Sequence, residues 1–182
     1  MGMKIICLAG MPGAGKGEAS RVIAGHGVPV FTMSSVVRDE VRRRGLEVNN
    51  TALEIVGIDL RKKFGRDVVA KKTAEAIKKM NSEIVCVDGV RNEEEIETLR
   101  TVGDVSVILI DAPKSARFVR LKKRGEDRDP KNIGDFELKE KRQDEIGIEK
   151  VFDMADYRVI NDGTLEEFRL KVSKVLANVG HV

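Results

Sequence analysis

The sequence contains little that would support a disulfide-stabilised or membrane-spanning protein. It has two cysteines in 182 residues. Cys7 and Cys86 each lie inside an apolar run, so we expect buried free thiols rather than a disulfide or a metal site. No apolar run approaches the roughly 18 residues that a membrane span needs, and the N-terminus lacks a signal-peptide pattern. We therefore predict a soluble cytoplasmic protein with no membrane partner.

Aromatic side chains and net charge are also scarce. Tryptophan is absent and the aromatic fraction is 4%, which leaves few platforms for stacking nucleic-acid bases. The formal net charge is +3, too small for a general field that attracts nucleic acid. We therefore expect no nucleic-acid partner. The charge is uneven, however, because residues 114–142 carry 11 Lys and Arg against 6 Asp and Glu, a local excess that suits a polyphosphate ligand.

What the sequence does contain is a regular alternation of short apolar runs and helical periods. Between the runs, apolar residues recur every three to four positions, as they do on one face of a helix. Strands that alternate with helices form a parallel sheet covered on both faces. We predict one domain over residues 1–182, a three-layer α/β/α fold around a five-stranded parallel sheet. The predicted strands are residues 4–9, 28–31, 83–87, 105–110 and 156–160.

Capping residues mark the starts of two predicted helices. Asn92 is followed by Glu95, and Thr164 is followed by Glu167. An Asn or Thr side chain can accept a hydrogen bond from the backbone N–H three residues later, and a Glu at that third position can complete a capping box. We therefore expect one helix to begin after Asn92 and the last helix to begin after Thr164.

The strongest chemical motif is GMPGAGKGE, residues 10–18, which lies between an apolar strand and a predicted helix. Gly10, four residues, Gly15 and Lys16 match the spacing and the context of a P-loop. Glycines let backbone N–H groups approach phosphate oxygens, the helix N-terminus favours the anion, and the lysine adds charge for the terminal phosphates. We predict that this phosphate loop binds ATP through Gly10, Met11, Pro12, Gly13, Ala14, Gly15, Lys16, Gly17 and Glu18.

Two acidic residues are candidates for binding Mg²⁺. The motif normally places Ser or Thr after the lysine, but here Gly17 and then Glu18 follow. Glu18 is a candidate metal ligand; the alternative is that it only occupies a helix first turn, where acidic residues are favoured. Asp88 ends an apolar run, at the sheet edge where ligands bind, and we assign it to Mg²⁺ or its water shell. The alternative for Asp88 is a turn-forming Asp-Gly pair.

Together with the phosphate loop, two segments resemble adenylate kinase and its nucleoside-monophosphate-kinase relatives. FTMSSVVR (31–38) is similar to the segment that holds the acceptor AMP in adenylate kinase, and VCVDGVR (85–91) is similar to the strand end that carries an aspartate near magnesium. The resemblance implies that Arg38 and Arg91 bind the acceptor phosphate. It also implies a helical acceptor-binding insertion over residues 34–64.

The second half of the chain resembles two kinase families. ARFVRLKKRGEDR (116–128) is similar to the helix that enters the adenylate kinase lid, which implies a short lid over residues 125–141. ADYRVINDGTLEEF (155–168) is similar to the C-terminal segment of dephospho-CoA kinase. Nearly the whole chain resembles an archaeal family of P-loop proteins related to both kinases. The adenylate kinase resemblance implies that three basic residues act on the phosphoryl group in transfer: Arg124, Arg128 and Arg142.

These patterns predict a small-molecule kinase that transfers the γ-phosphoryl group of Mg-ATP to a nucleotide, with a nucleoside monophosphate such as AMP as the acceptor. Two alternatives stay open. The C-terminal segment favours an enzyme similar to dephospho-CoA kinase. The missing hydroxyl at Gly17 and the Met33-Ser34-Ser35 segment favour a nucleotide-binding regulator with little or no turnover.

Overall fold

The structure is a computed structural model that describes residues 2–126 and 129–180. Its centre is a five-stranded sheet in which every pairing is parallel. The central strands are buried on both faces, which explains their continuous apolar runs. The strands are, in chain order, β1 (Met3–Ala9), β2 (Val30–Thr32), β3 (Ile84–Asp88), β4 (Gly103–Asp111) and β5 (Tyr157–Ile160).

The spatial order of the strands is β2-β3-β1-β4-β5. Strand β1 therefore lies where the strand order reverses, between β3 and β4. Because all strands are parallel, their carboxyl ends meet at one edge, and a crevice for ligands opens at such a reversal point. The register places Leu8 of β1 and Thr32 of β2 on either side of Asp88 at the end of β3. The predicted three-layer fold with a five-stranded parallel sheet is confirmed.

Helices connect the strands and cover both faces of the sheet. Asn92 accepts the predicted hydrogen bond from the Glu95 N–H, at 2.9 Å, and Thr164 and Glu167 form a complete capping box. Within the described residues the helices are α1 (Lys16–Gly25), α2 (Met33–Arg43), α3 (Asn50–Phe64), α4 (Val68–Ile77), α5 (Glu93–Arg100), α6 (Lys114–Arg124), α7 (Ile133–Ile146), α8 (Ile148–Asp153) and α9 (Leu165–Asn178).

Two apolar cores lie on opposite faces of the sheet. On one face, Ile5 and Cys7 of β1 pack with side chains from α2, α3, α4, α5 and α8. On the other, Ile6 and Leu8 pack with side chains from α1 and α9. Cys7 and Cys86 are buried free thiols, as predicted, and burial raises the pKa of both. No helix of residues 2–126 or 129–180 is long and apolar enough to cross a membrane.

Two of the differences between the observed and the predicted elements have an identifiable cause. The second strand begins at Val30 instead of residue 28, because Pro29 has no N–H to donate to a neighbouring strand. The short helix α8 was not predicted. It follows the left-handed Gly147 and buries Ile148 and Val151, two apolar residues that are too few to establish a helical period from sequence.

Candidate functional site

A cavity of about 480 Å³ opens at the carboxyl edge of the sheet. Its walls come from the phosphate loop, the ends of β2 and β3, and helices α2, α3, α6 and α7. The volume lies within the range of roughly 300–1,000 Å³ that is typical of small-molecule sites. The fold therefore brings several predicted site residues around one space, although the sequence separates some of them by more than a hundred positions; they include Lys16, Arg38, Asp88, Arg91, Arg124 and Arg142. The predicted residues Met11, Ala14 and Glu18 do not line it.

The phosphate loop closes tightly between β1 and α1. The Ala14 N–H donates to the Met11 carbonyl at 3.1 Å, and the Glu18 N–H donates to the Gly15 carbonyl at 3.0 Å. Lys16 begins α1 and folds back over the loop, with Nζ at 2.6 Å from the Gly10 carbonyl oxygen and 3.3 Å from that of Met11. The lysine therefore lies directly over the loop and lines the cavity.

Gly10 and Gly15 of the loop occupy positions where no side chain fits. Gly10 has a φ of +149°, and a Cβ there would lie 2.3 Å from the Ile110 carbonyl oxygen. Gly15 has a φ of +114°, and its Cβ would lie 2.5 Å from Nδ2 of Asn161. The loop approaches its neighbours this closely only because these residues are glycine.

Asn161 and Arg120 hold the loop through hydrogen bonds, and neither residue was assigned from the sequence. The Asn161 side-chain amide donates to the Ala14 carbonyl at 2.8 Å. Arg120 donates to the Asn161 carbonyl at 3.0 Å and to the Gly13 carbonyl at 3.4 Å. The only signal in the sequence was the resemblance of residues 155–168, which include Asn161, to the C-terminal segment of dephospho-CoA kinase.

Asp88 lies at the end of β3 and lines the cavity together with Lys16 and Gly17. Its Oδ2 accepts a hydrogen bond from the Ser20 hydroxyl at 3.0 Å. Within the described residues no group of three or more His, Cys, Asp or Glu side chains could hold a metal ion. Magnesium usually binds one or two carboxylates and completes its shell with water and substrate phosphate. A single carboxylate beside a phosphate loop fits that donor set.

Glu18 points away from the cavity. Its carboxylate accepts a hydrogen bond from Nε of Arg169 in α9 at 2.7 Å and forms a second ion pair with Arg21. The hydrogen bond from Arg169 contributes most to holding the pKa of the Glu18 carboxyl below its ordinary value. A contact between Glu18 and Mg²⁺ would require both ion pairs to break. The predicted metal role of Glu18 stays a prediction, and the observed ion pairs do not favour it.

Arg38 stands apart from the other arginines of its helix. It lines the cavity and has no hydrogen bond or ion pair to any residue within 2–126 or 129–180. The three neighbouring arginines form ion pairs with Asp39, Glu40 or Asp59; they are Arg42, Arg43 and Arg44. A guanidinium that faces a cavity without a carboxylate partner is suited to bind an anion.

Arg91 and Arg61 line the same end of the cavity. The backbone N–H of Arg91 donates to Oε2 of Glu95 at 2.8 Å, and Nη2 of Arg61 donates to Oε1 of Glu95 at 2.6 Å. Glu95 is fully buried, so it holds both segments in place. Arg61 was not predicted as a site residue, because an arginine in a predicted helix is usually interpreted as a solvent-exposed side chain.

The basic residues of segment 114–142 occupy different surroundings in the structure. Arg120, Arg124, Lys139 and Arg142 line the cavity. Arg124 also pairs with Asp129 at 2.5 Å, and Arg142 pairs with Glu54 at 2.8 Å. Arg117 is buried instead. The predicted site residue Arg128 lies outside the described residues.

Comparison with known proteins agrees with this geometry. Residues 9–137 match the AAA-domain family. A UPF0200 protein from Methanosarcina mazei is 41% identical over 178 residues, which cover 97% of this chain and 95% of the relative. A UPF0200 protein from Sulfurisphaera tokodaii is 38% identical over 177 residues, which cover 97% and 98%.

Solved structures show the same fold at low sequence identity. The structure of TT1252 from Thermus thermophilus is 19% identical and has a TM-score of 0.68 over 98% of both chains. Shikimate kinase from Acinetobacter baumannii, in complex with shikimate, is 18% identical with a TM-score of 0.58 over 97% of this chain and 94% of its own. These likenesses establish a P-loop kinase fold. From the sequence matches, the chain belongs to the UPF0200 family, with an AAA domain over residues 9–137.

Proposed function

We propose that this protein is a phosphotransferase that moves the γ-phosphoryl group of Mg-ATP to a nucleotide acceptor, specifically a nucleoside monophosphate such as AMP. One observation carries the proposal: Lys16 lines the same cavity as Arg38, which pairs with no residue in the part of the chain that the structure describes. Phosphoryl transfer depends mainly on positioning and charge neutralisation, with little covalent chemistry for the protein to perform. A donor on the phosphate loop and an acceptor phosphate at Arg38 would meet inside one enclosure.

The donor end of the cavity supplies the groups that a triphosphate needs. Backbone N–H groups of the loop and of the first turn of α1 would bind the phosphate oxygens. Lys16 would exchange its two carbonyl contacts for the terminal phosphates. Asp88 would hold Mg²⁺ through its water shell, and the bound cation would supply further positive charge at the phosphates.

The acceptor end supplies fixed positive charge. Arg38 and Arg91 would bind the acceptor phosphate, since a planar guanidinium matches two phosphate oxygens. Arg61 is ion-paired with the buried Glu95, which offsets its charge, so it would shape this end of the cavity more than add to its positive potential. We assign residues 34–64, which include most of α2 and all of α3, to the acceptor-binding insertion.

We assign residues 125–141 to a short lid. Helix α7 begins within this range and carries Lys139 and Arg142 in the cavity wall. When the lid closes over bound nucleotide, Arg124 and Arg142 would turn from their carboxylate partners toward the transferring phosphoryl group, and Arg128 would join them. Closure of this kind excludes water, which would otherwise accept the phosphoryl group.

The test is an ADP-release assay with ATP, Mg²⁺ and a panel of acceptors that includes AMP, other nucleoside monophosphates, dephospho-CoA and shikimate. We compare the wild type with Lys16→Ala and with Lys72→Ala, a control at an exposed lysine in α4. We expect ADP release that depends on a nucleoside monophosphate, unchanged in Lys72→Ala and reduced about 100-fold or more in Lys16→Ala, because a preorganised charge is removed from the transition state.

Three outcomes would contradict this proposal. Activity that survives the loss of Lys16 would exclude the P-loop mechanism. ADP release with dephospho-CoA but not with any monophosphate would indicate an enzyme similar to dephospho-CoA kinase. ATP binding without ADP release for any acceptor would indicate a nucleotide-binding regulator.

A further inference from the structure

The phosphate loop lacks a hydroxyl where one is expected, and the next turn of the same helix provides one. Gly17 follows Lys16 at the position where a P-loop normally carries Ser or Thr. Ser20 lies three residues further along α1, and residues three apart lie on the same face of a helix. The Ser20 hydroxyl donates to Oδ2 of Asp88 at 3.0 Å. Helix α1 therefore still presents a hydroxyl to the carboxylate at the end of β3.

Ser20 lies behind Asp88 as seen from the cavity. Gly17 and Asp88 line the cavity, whereas Ser20 does not contribute to its walls. The second carboxylate oxygen, Oδ1, has no hydrogen bond to any other residue that the structure describes. The hydroxyl thus restrains the carboxylate through one oxygen, and the other is available to a ligand.

The Ser20 hydrogen bond is not the one that its position in a helix would favour. A serine inside a helix commonly turns its hydroxyl back to the carbonyl oxygen four residues earlier, which here is that of Lys16. Ser20 instead bonds across to another element of the fold, and a hydrogen bond to an ionised acceptor is about twice as strong as a neutral one. Glu18, the acidic residue of α1, is paired with Arg169 and Arg21, so it does not compete with Asp88 for the Ser20 hydroxyl.

We propose that Ser20 is the positioning residue for Asp88. It holds the carboxylate in the orientation that receives the water shell of Mg²⁺. A P-loop normally has a Ser or Thr hydroxyl at the position of Gly17 to hold the ion, and Ser20 contributes to the same end by orienting Asp88. The inference deepens the proposed function and rests on it. Outer-shell hydrogen bonds of this kind set the orientation of a metal-binding carboxylate, and their loss typically weakens metal affinity about 10-fold to 100-fold.

The test measures ATP binding by titration calorimetry in Mg²⁺ and in EDTA, so that the ratio of the two affinities gives the magnesium contribution. The variants are Ser20→Ala, Ser20→Thr and the double variant Gly17→Ser with Ser20→Ala. The matched control is Ser173→Ala, because the Ser173 hydroxyl also makes a 3.0 Å side-chain hydrogen bond, to Nε2 of His26, but does not line the cavity.

We expect Ser20→Ala to reduce the magnesium contribution about tenfold and to leave the affinity in EDTA unchanged. Ser20→Thr, which keeps the hydroxyl, and Ser173→Ala should behave as the wild type. The added Gly17→Ser should restore the contribution, because a Cβ at residue 17 meets nothing within 4 Å and brings a hydroxyl to the cavity wall. The binding of Mn²⁺ to the protein–ADP complex, followed by electron paramagnetic resonance, should show the same order.

The outcomes separate this inference from the proposed function. If the wild type binds ATP no better in Mg²⁺ than in EDTA, the proposed function fails and the role of Ser20 fails with it. If the wild type shows the gain and Ser20→Ala keeps it, only the inference is overturned. An equal loss in both buffers would indicate a purely structural serine and would also overturn it. Should Ser20→Ala not fold, Ser20→Cys, with a weak S–H donor, is expected to show the same selective loss.

Discussion

Arg117, which is buried, and Glu140, which is largely buried, form an ion pair that joins α6 to α7 through two hydrogen bonds. Nη1 donates to Oε1 at 2.7 Å and Nη2 donates to Oε2 at 2.6 Å. Arg117 also donates from Nε to the Ala112 carbonyl at 3.1 Å. Because α7 carries Lys139 and Arg142 in the cavity wall, this pair holds that wall against α6, and closure of the proposed lid would have to move α6 with it or break the pair.

Replacement of Arg117 by methionine should therefore be costly. We expect Arg117→Met to lower the free energy of unfolding by about 2–4 kcal/mol, because it leaves the largely buried Glu140 carboxylate without its partner. Urea unfolding followed by circular dichroism measures the change. The control is Lys114→Ala, whose pair with Glu137 spans 3.7 Å between side chains that are 57% and 62% exposed; we expect less than about 1 kcal/mol there. Equal effects would contradict a special role for Arg117.

Two glycines of the phosphate loop should respond to alanine with opposite signs. Gly15→Ala forces a Cβ to 2.5 Å from Asn161 at a φ of +114°, and we expect reduced thermal stability and loss of ATP binding. Gly17→Ala meets nothing within 4 Å and lies inside α1, so we expect stability to rise by about 0.5–1 kcal/mol. Differential scanning calorimetry and ATP titration report both effects. A stable, ATP-binding Gly15→Ala would show that the loop tolerates rearrangement there.

The two kinds of arginine in α2 provide a matched test of acceptor binding. Arg38→Ala should raise KM for AMP about tenfold or more, since a hydrogen bond to a charged group contributes about 1.5–3 kcal/mol, and should leave KM for ATP unchanged. Arg42→Ala removes a guanidinium that is 64% exposed and pairs with Asp39 at 3.3 Å, and we expect no change in either constant. Steady-state kinetics in which AMP and ATP are varied in turn give both KM values. Equal KM values for AMP in the two variants would reject Arg38 as an acceptor ligand.

Glu40 should make stability depend on pH in the acid range. Arg43 and then Arg44 hold the pKa of the Glu40 carboxyl down at about 2, whereas an unfolded glutamate titrates near about 4.3. The lowered pKa means that the folded state gains stability above about pH 4 and loses it as the pH falls through about 2.

Unfolding experiments between pH 7 and pH 2 test this expectation. Glu40→Gln should be less stable than the wild type at pH 7, and the difference should shrink below about pH 4 and disappear near about pH 2. Added salt should reduce the difference at neutral pH, because Arg43 is mostly exposed. Glu75→Gln, at an exposed glutamate of α4, is the control: its stability relative to the wild type should not change with pH in the same way. A difference between Glu40→Gln and the wild type that stays constant with pH would contradict the expectation.

Local patterns predicted the elements of the fold closely. All five predicted strands agree with the observed bounds to within two residues, because buried parallel strands are short apolar runs that polar turns separate clearly. The helix starts at Asn92 and Thr164 were predicted because capping is a contact over three residues. Helix α8 was missed because its stability comes from burial of Ile148 and Val151 in the core, a contact that no local period reports.

From the sequence, the site residues could be predicted only where they form one continuous motif. The phosphate loop is such a segment, and it has the expected shape. Ser20, Arg61, Arg120 and Asn161 were not assigned, because their partners Asp88, Glu95, Gly13 and Ala14 lie 34 to 147 positions away. Arg38 lines the cavity while its neighbours in α2 pair with carboxylates. This difference depends on which face of α2 meets the cavity, and the sequence does not show that face.

By itself, the amino-acid sequence determined the layered α/β fold and the P-loop, because hydrophobic period, glycine placement and helix capping act over a few residues. The tertiary structure decided which charges remain for ligands. It paired Glu18 with Arg169 and Arg117 with Glu140, and it left Arg38 in the cavity wall. Ion pairing and burial depend on which side chains are brought within about 4 Å across the fold, and only the folded chain sets those distances.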